Sequence, residues 1–262
     1  MKTLIIFGST SDRKVYQKIQ QEFELKHLDY DLRIASAHKT PGAVEELIKG
    51  DYDLFIAGAG LSAALPGVIA AKTIKPVIGI PCKGAFSGLD ALLSVWQMPK
   101  GVSVIGAPIE NITEAVKLAE LYEKGLSSIK LVKRSDEKPA LLADKAKSFL
   151  DENKIPYELV ESDVPSYNDS LSVYIDFIDI NETAIMTNHD AIVINVPYSR
   201  KDADARDALK LLEITKGLWS GFENTTNACL SAVQLINGKG GYDDFFKEYR
   251  KNLADKLLNT HP

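Results

Sequence analysis

The sequence predicts an α/β protein built on a parallel sheet with helices on both faces. Three observations predict it. Short apolar runs alternate with amphipathic stretches from the first residues onward. The same alternation restarts in the second half. The composition is that of an ordinary globular chain: 45% hydrophobic, 26% charged and 8% aromatic. That composition excludes disordered, collagen-like and disulfide-framework chains. A length of 262 residues admits one large or two small domains.

In the first half, residues 4–7 read as a buried strand that stops at Gly8, too short an apolar run for a signal peptide. A polar-apolar segment follows over 12–24. Residues 30–35, 54–57, 76–81 and 102–105 read as further strands. Helices are expected over 42–49, closing at 70–73, and over 88–97 and 112–122. In the second half, strands are expected at 129–132, 156–160 and 190–196. Helices are expected at 140–152, 204–212, 228–236 and 242–258.

Four segment pairs recur in order. They are 5–12 with 131–136, 30–32 with 157–159, 53–56 with 190–193, and 110–119 with 223–232. The offsets differ from pair to pair, so a degenerate tandem repeat is expected, with a boundary at the Gly125-Leu126-Ser127-Ser128 break. The units are 1–126 and 127–262.

A net charge of −5 argues against a nucleic-acid partner. Residues 54–71 are free of charge, but Gly58, Gly60, Pro66 and Gly67 punctuate them, so no membrane span is expected. Two cysteines, Cys82 and Cys229, make no disulfide framework and point to a reducing, cytoplasmic setting. No His/Cys/Asp/Glu group has metal-ligand spacing. His27 reads as surface, His189 as a loop residue and His261 as tail.

Chemistry concentrates in loops that follow strands. Gly8-Ser9-Thr10-Ser11-Asp12 is a small-residue turn entering a helix, suited to a phosphate or simply to helix capping. Ser36-Ala37-His38-Lys39-Thr40-Pro41 supplies a base that titrates near neutrality and a cation. Ala57-Gly58-Ala59-Gly60-Leu61-Ser62-Ala63-Ala64-Leu65-Pro66-Gly67 permits close backbone approach to a ligand, or close helix packing. Residues 86–101 read mainly as a buried helix. In a parallel sheet these loops share the carboxyl edge, where ligands bind.

In this order, the motifs resemble the PurE family, which comprises phosphoribosylaminoimidazole carboxylase and N5-carboxyaminoimidazole ribonucleotide mutase. They are Gly8–Asp12, Ser36–Pro41, Ala57–Gly67, Ala70–Thr73, Ser87-Gly88-Leu89-Asp90 and Gln97-Met98-Pro99. The resemblance implies a flavodoxin-like three-layer α/β/α sandwich. It implies de novo purine biosynthesis, carboxylating 5-aminoimidazole ribonucleotide with CO2. The mutase reaction to the same product is the alternative, and a non-catalytic nucleotide-binding protein on this fold is a reading of another class. It implies His38 as the catalytic base. Ser9, Ser11, Asp12, Ser36, Lys39, Gly58, Ser62, Ala64 and Leu65 are implied to bind substrate. No cofactor is implied. Sites lie at subunit contacts in the family, so a homo-oligomer is expected, with a tetramer of tandem chains as the analogue.

The subclass signals divide. The mutase form usually has Arg after the His and a His before Leu-Pro-Gly, where this chain has Lys39 and Ala64. Leu65-Pro66-Gly67 and Gln97-Met98-Pro99 are mutase-like. The first reading is therefore the carboxylase. The second half reads Glu161-Ser162-Asp163-Val164-Pro165 where a base would stand, so a structural role is expected for it.

Overall fold

The computed structural model describes residues 1–182 and 190–260. The expected His189 and His261 fall outside them. The first half contains β1 (Lys2–Phe7), β2 (Asp29–Ile34), β3 (Leu54–Ala59), β4 (Val77–Pro81) and β5 (Ile105–Gly106). These are joined by α1 (Arg13–Leu25), α2 (Pro41–Ile48), α3 (Ala64–Lys72) and α4 (Leu89–Trp96), and α5 (Thr113–Lys124) follows. The second half contains β6 (Ser128–Lys133), β7 (Glu158–Glu161), β8 (Ser172–Asp179), β9 (Ile192–Tyr198) and β10 (Leu218–Trp219). Its helices are α6 (Glu137–Glu152), the short α7 (Asp207–Lys210), α8 (Thr225–Ile236) and α9 (Asp243–Leu258).

All ten strands form one sheet in the order β2-β1-β3-β4-β5-β10-β9-β8-β6-β7. The first five follow the doubly wound order 2-1-3-4-5. The remaining five follow the same order in reverse. Every pairing is parallel except β5 with β10, which meet antiparallel at Gly106 and Trp219.

Alternation along the strands divides the core. Ile5 and Phe7 belong to a core layer that also takes in α1, α5, α6 and α8 and runs under the whole sheet. Leu4 and Ile6 face α2, α3 and α4. From the second half, Ile180, Leu211, Ile214 and Trp219 join that core, and a separate small cluster gathers around Tyr174 and Val193.

Several expectations shift. The strand expected at 102–105 is Ile105–Gly106 alone. The helix expected at 204–212 is Asp207–Lys210 plus a single 3-10 turn at Leu211–Glu213. The sequence reading missed β8 altogether, because Asp176 and Asp179 interrupt its apolar pattern. The buried Asp176 is instead paired with Arg134, Nη2 to Oδ2 at 2.6 Å. Of the expected 190–193, Ile192 and Val193 open β9, the fourth strand of the second half, so this segment is not the counterpart of β3.

The seam between the halves is tightly packed. Trp96 and Trp219 are both fully buried, and their rings stack 5.3 Å apart at 11°. Each indole N–H is satisfied: Trp96 donates to Ala107 O and Trp219 to Lys216 O. A Cβ on Gly106 would lie 2.2 Å from the Trp96 ring, so only glycine lets β5 pass. From α8, Asn227 accepts from Gly101 N and donates to Pro99 O and Val102 O. From α9, Arg250 donates to Ala70 O at the end of α3. Gly106→Ala is expected to destabilise the protein by about 1–3 kcal/mol through overpacking. The check is a lowered thermal midpoint with a changed near-ultraviolet tryptophan signal. An unchanged midpoint would mean the stack is not tight.

Candidate functional site

β1, β2 and β3 end at the same level, with Phe7 paired to both Ile34 and Gly58. The loops that leave them therefore start side by side on the carboxyl edge. Gly8 N–H donates to Gly58 O at 2.9 Å and Ala35 N–H to Phe7 O at 3.0 Å. A Cβ on Gly58 would strike the Phe7 ring at 2.0 Å, so the ring lies over β3 where glycine leaves it room.

The first loop caps a 3-10 turn. Ser9 Oγ accepts from Ser11 N–H at 3.1 Å and lies 2.8 Å from Ser11 Oγ. Ser11 Oγ lies 3.2 Å from Asp12 Oδ1. The other oxygen, Asp12 Oδ2, is buried without a hydrogen-bond partner. Burial raises the Asp12 carboxyl above the ordinary range, the Ser11 hydroxyl opposes the shift, and the Glu110 charge adds to it.

The second loop is held by its own polar atoms. Ser36 N–H donates to Thr40 Oγ1 and Lys39 N–H to Ser36 Oγ. His38 and Lys39 are exposed at its tip. The His38 ring makes no hydrogen bond among the described residues. The third loop bends through left-handed backbone at Leu61 and Ser62, φ 44° and 51°. Ser62 N–H donates to Asp90 Oδ2 at 3.1 Å, and Asp90 Oδ1 is buried without a partner. Ala64 and Leu65 start α3. Leu65 is buried and packs in the same core as Ala57 and Ala59.

Nine of the ten sequence-expected residues therefore lie on three adjacent loops or the helix start that follows them, and Gly58 lies at the end of β3 beside them. Residues 97–99 do not: they precede β5 at the opposite edge, where α8 holds them. Three residues absent from the expected site stand beside it. Asp90 holds the third loop. Glu110 accepts from Lys83 N–H at 3.1 Å and acts on Asp12 through its charge. Cys82 is buried, and burial followed by the Asp12 and Glu110 charges pushes its thiol up, so it stays protonated. Only Asp90 had a signal, its place in the Ser87–Asp90 motif. Among the described residues, no group of three or more His, Cys, Asp or Glu is placed to hold a metal ion. No described helix is long and apolar enough to cross a membrane.

A carboxyl raised by burial is a cost to the folded state once ionised, above its folded pKa. Below the ordinary aspartate pKa it is neutral in both states and the cost vanishes. Asp12→Asn is therefore expected to raise the thermal midpoint at pH 7. The gain should shrink as pH falls through the Asp12 pKa. A midpoint difference that is flat with pH would refute the burial effect.

The segment that forms these loops is also the segment that known proteins share. A family model described as AIR carboxylase matches residues 2–125. The N5-carboxyaminoimidazole ribonucleotide mutase of Methanocaldococcus jannaschii is 47% identical over 116 residues, 44% of this chain and 74% of that protein. The protein of that name from Pyrococcus horikoshii is 40% identical over 150 residues, 52% of this chain and 85% of that one. The one from Escherichia coli is 41% identical over 108 residues, 39% and 64% respectively. A crystal structure of Treponema denticola PurE matches at 27% identity, covering 59% of this chain and 93% of that one, with a TM-score of 0.42. With the Methanocaldococcus jannaschii protein 47% identical and matched over 74% of its length, the chain belongs to the AIR carboxylase family.

Proposed function

We propose that the chain acts in purine biosynthesis as an N5-carboxyaminoimidazole ribonucleotide mutase. The observation that carries this is one coincidence. The segment that is 47% identical to a protein of that name also forms the edge where Asp12 keeps a buried carboxylate oxygen without a partner. An oxygen so placed needs a donor, which an aminoimidazole ribonucleotide has in its amine and ribose hydroxyls.

In this reading the substrate phosphate meets Lys39, with Ser36 shaping that turn. Ser9, Ser11 and Asp12 hold the ribose and the ring. The carbamate C–N bond breaks, its electron pair stays on the exocyclic nitrogen, and the His38 imidazolium supplies a proton there. The freed CO2 is kept in the small-residue pocket of Gly58, Ser62, Ala64 and Leu65, away from water. The ring carbon attacks it, and the neutral His38 takes the proton that leaves that carbon, so the residue returns to its starting state. Direct carboxylation with dissolved CO2 uses the second step alone. Lys39 and Ala64 favour that second reading, because the mutase form usually carries Arg and His there.

Residues 1–126 form the catalytic unit in this proposal, and 127–262 a repeat without catalysis. Mirrored strand order supports it. So do paired details. Glu110 and Glu223 both adopt left-handed φ, 54° and 51°, and donate to Pro81 O and Pro197 O. Ser162 N–H donates to Lys133 O as Ala35 N–H does to Phe7 O. Counting from that bond, Pro165 stands where His38 stands, and no base remains. The exposed Leu61 and Phe86 at the mouth of the first site support a further copy of the chain against it, in a cytoplasmic homotetramer.

His38→Asn is expected to keep the far-ultraviolet spectrum and lose at least about a hundredfold in kcat. Wild-type-like turnover would refute the assignment. Turnover of the N-carboxylated ribonucleotide without added bicarbonate identifies the mutase. Turnover only of the aminoimidazole ribonucleotide with bicarbonate identifies the carboxylase. Light scattering should give four times the 28.8 kDa chain mass, and a monomeric mass would overturn the assembly.

A further inference from the structure

The carboxyl edge of the second half carries a cavity of about 580 Å³, within the range of small-molecule pockets. Its lining includes residues just past β6 and β7 and at the ends of β8 and β9. These are the counterparts of the strand ends that carry the first site. The chemistry differs. Counting from the matching Ala35 and Ser162 bonds, Asp163 takes the place of Ser36. Its carboxylate accepts Ser135 N–H at 2.7 Å and Ser135 Oγ–H at 2.8 Å. Those two bonds hold Asp163 below the usual carboxylate range. The donors that would receive an anion from outside already hold one from the chain.

The two arginines are committed in the same way. Arg134 donates to Asp176 and to Asp163 O. Arg200 donates to Glu182 and Asp136, and lies 3.6 Å from Asp179 Oδ2. Four carboxylates and two guanidinium groups line the space, so its charge is negative. A phosphate entering it meets repulsion and, among the described residues, no free cation.

Unused capacity lies deeper. Tyr198 is 2% exposed and lines the cavity, and its hydroxyl has no hydrogen-bond partner among the described residues. Burial pushes that hydroxyl up to about 12, so it remains a neutral O–H. Asn195 is 1% exposed. Its Nδ2 is spent on Leu218 O, and its Oδ1 receives no donor among the described residues. Among the described residues, Asp179 Oδ2 has only the long contact to Arg200. Phe177 and Tyr198 supply ring surface for a planar group.

We infer that this cavity is a second ligand site, for a planar, N–H-rich compound without an anionic group, a nucleoside and not a nucleotide. Its acceptors suit ring and exocyclic N–H groups, its aromatic wall suits a flat ring, and its charge excludes a phosphate. With no base at the place of His38, it binds and does not turn over. The inference stands apart from the catalytic reading of the first half.

The test is calorimetric titration of the full chain with adenosine, guanosine, cytidine and 5-aminoimidazole riboside, each beside its 5′-monophosphate. At least one nucleoside is expected to bind at least tenfold more tightly than its monophosphate. Tyr198→Phe, which removes one oxygen atom, is expected to weaken that binding about tenfold, with turnover at the first site unchanged. His38→Asn should leave the binding intact. Three results would each overturn the inference. One is no binding by any nucleoside. Another is a monophosphate that binds as tightly. The third is nucleoside binding that is insensitive to Tyr198→Phe or lost with His38→Asn.

Discussion

Everything in this molecule hangs on a seam two residues long. β5 and β10 pair only at Gly106 and Trp219, and on that contact two five-stranded half-sheets become one sheet of ten. So short a ladder contributes little by itself. The Trp96–Trp219 stack beneath it contributes more, since each ring buries on the order of 200 Å² and the stack adds about 1 kcal/mol, and the core layer shared by both halves adds to it. Gly106 is the condition for this, because any side chain there would fill the space of the Trp96 ring. Asn227, Gln234 and Arg250 then tie α8 and α9 to backbone carbonyls at the amino edge of the first half. The second half thereby braces the first from the edge opposite its candidate site.

That division of labour accounts for the loops on the carboxyl edge. The strands are anchored from below, so the loops above carry conformations that a free loop would not keep. Leu61, Ser62, Phe86 and Ser87 all sit in left-handed backbone without being glycine. Asp90 holds one of these bends by accepting from Ser62 N–H, and keeps a second buried oxygen unspent. Buried carboxylate oxygens without partners cost stability and are retained where a ligand completes them. The second half shows the opposite resolution: its carboxylates are largely satisfied by its own serine and arginine side chains.

Much of this was legible beforehand. Residues 4–7 and 54–57 announce buried parallel strands by unbroken apolar runs, and the glycine or small-residue loops after them announce the edge. His38 with Lys39, and Ser9 with Asp12, could be assigned to that edge because β-strand order in such folds brings alternate loops together. β8 was illegible, because Asp176 reads as a surface residue until Arg134, more than forty residues earlier, is seen to neutralise it. Glu110 was illegible as a neighbour of Asp12 for the same reason of distance along the chain.

The sequence by itself determined the fold class, the recurrence of one plan in two halves and the loops that form the candidate site. These depend on local periodicity and on short motifs, which neighbouring residues specify. Only the tertiary structure decided that the halves join through an antiparallel seam into one sheet. It also decided that Gln97-Met98-Pro99 belongs to the brace and not the site, and that the second half's edge encloses a cavity. Those features depend on contacts between residues far apart in sequence, such as Trp96 with Trp219 and Arg200 with Asp136. No local pattern records such a contact, because each partner alone reads as ordinary core or ordinary surface.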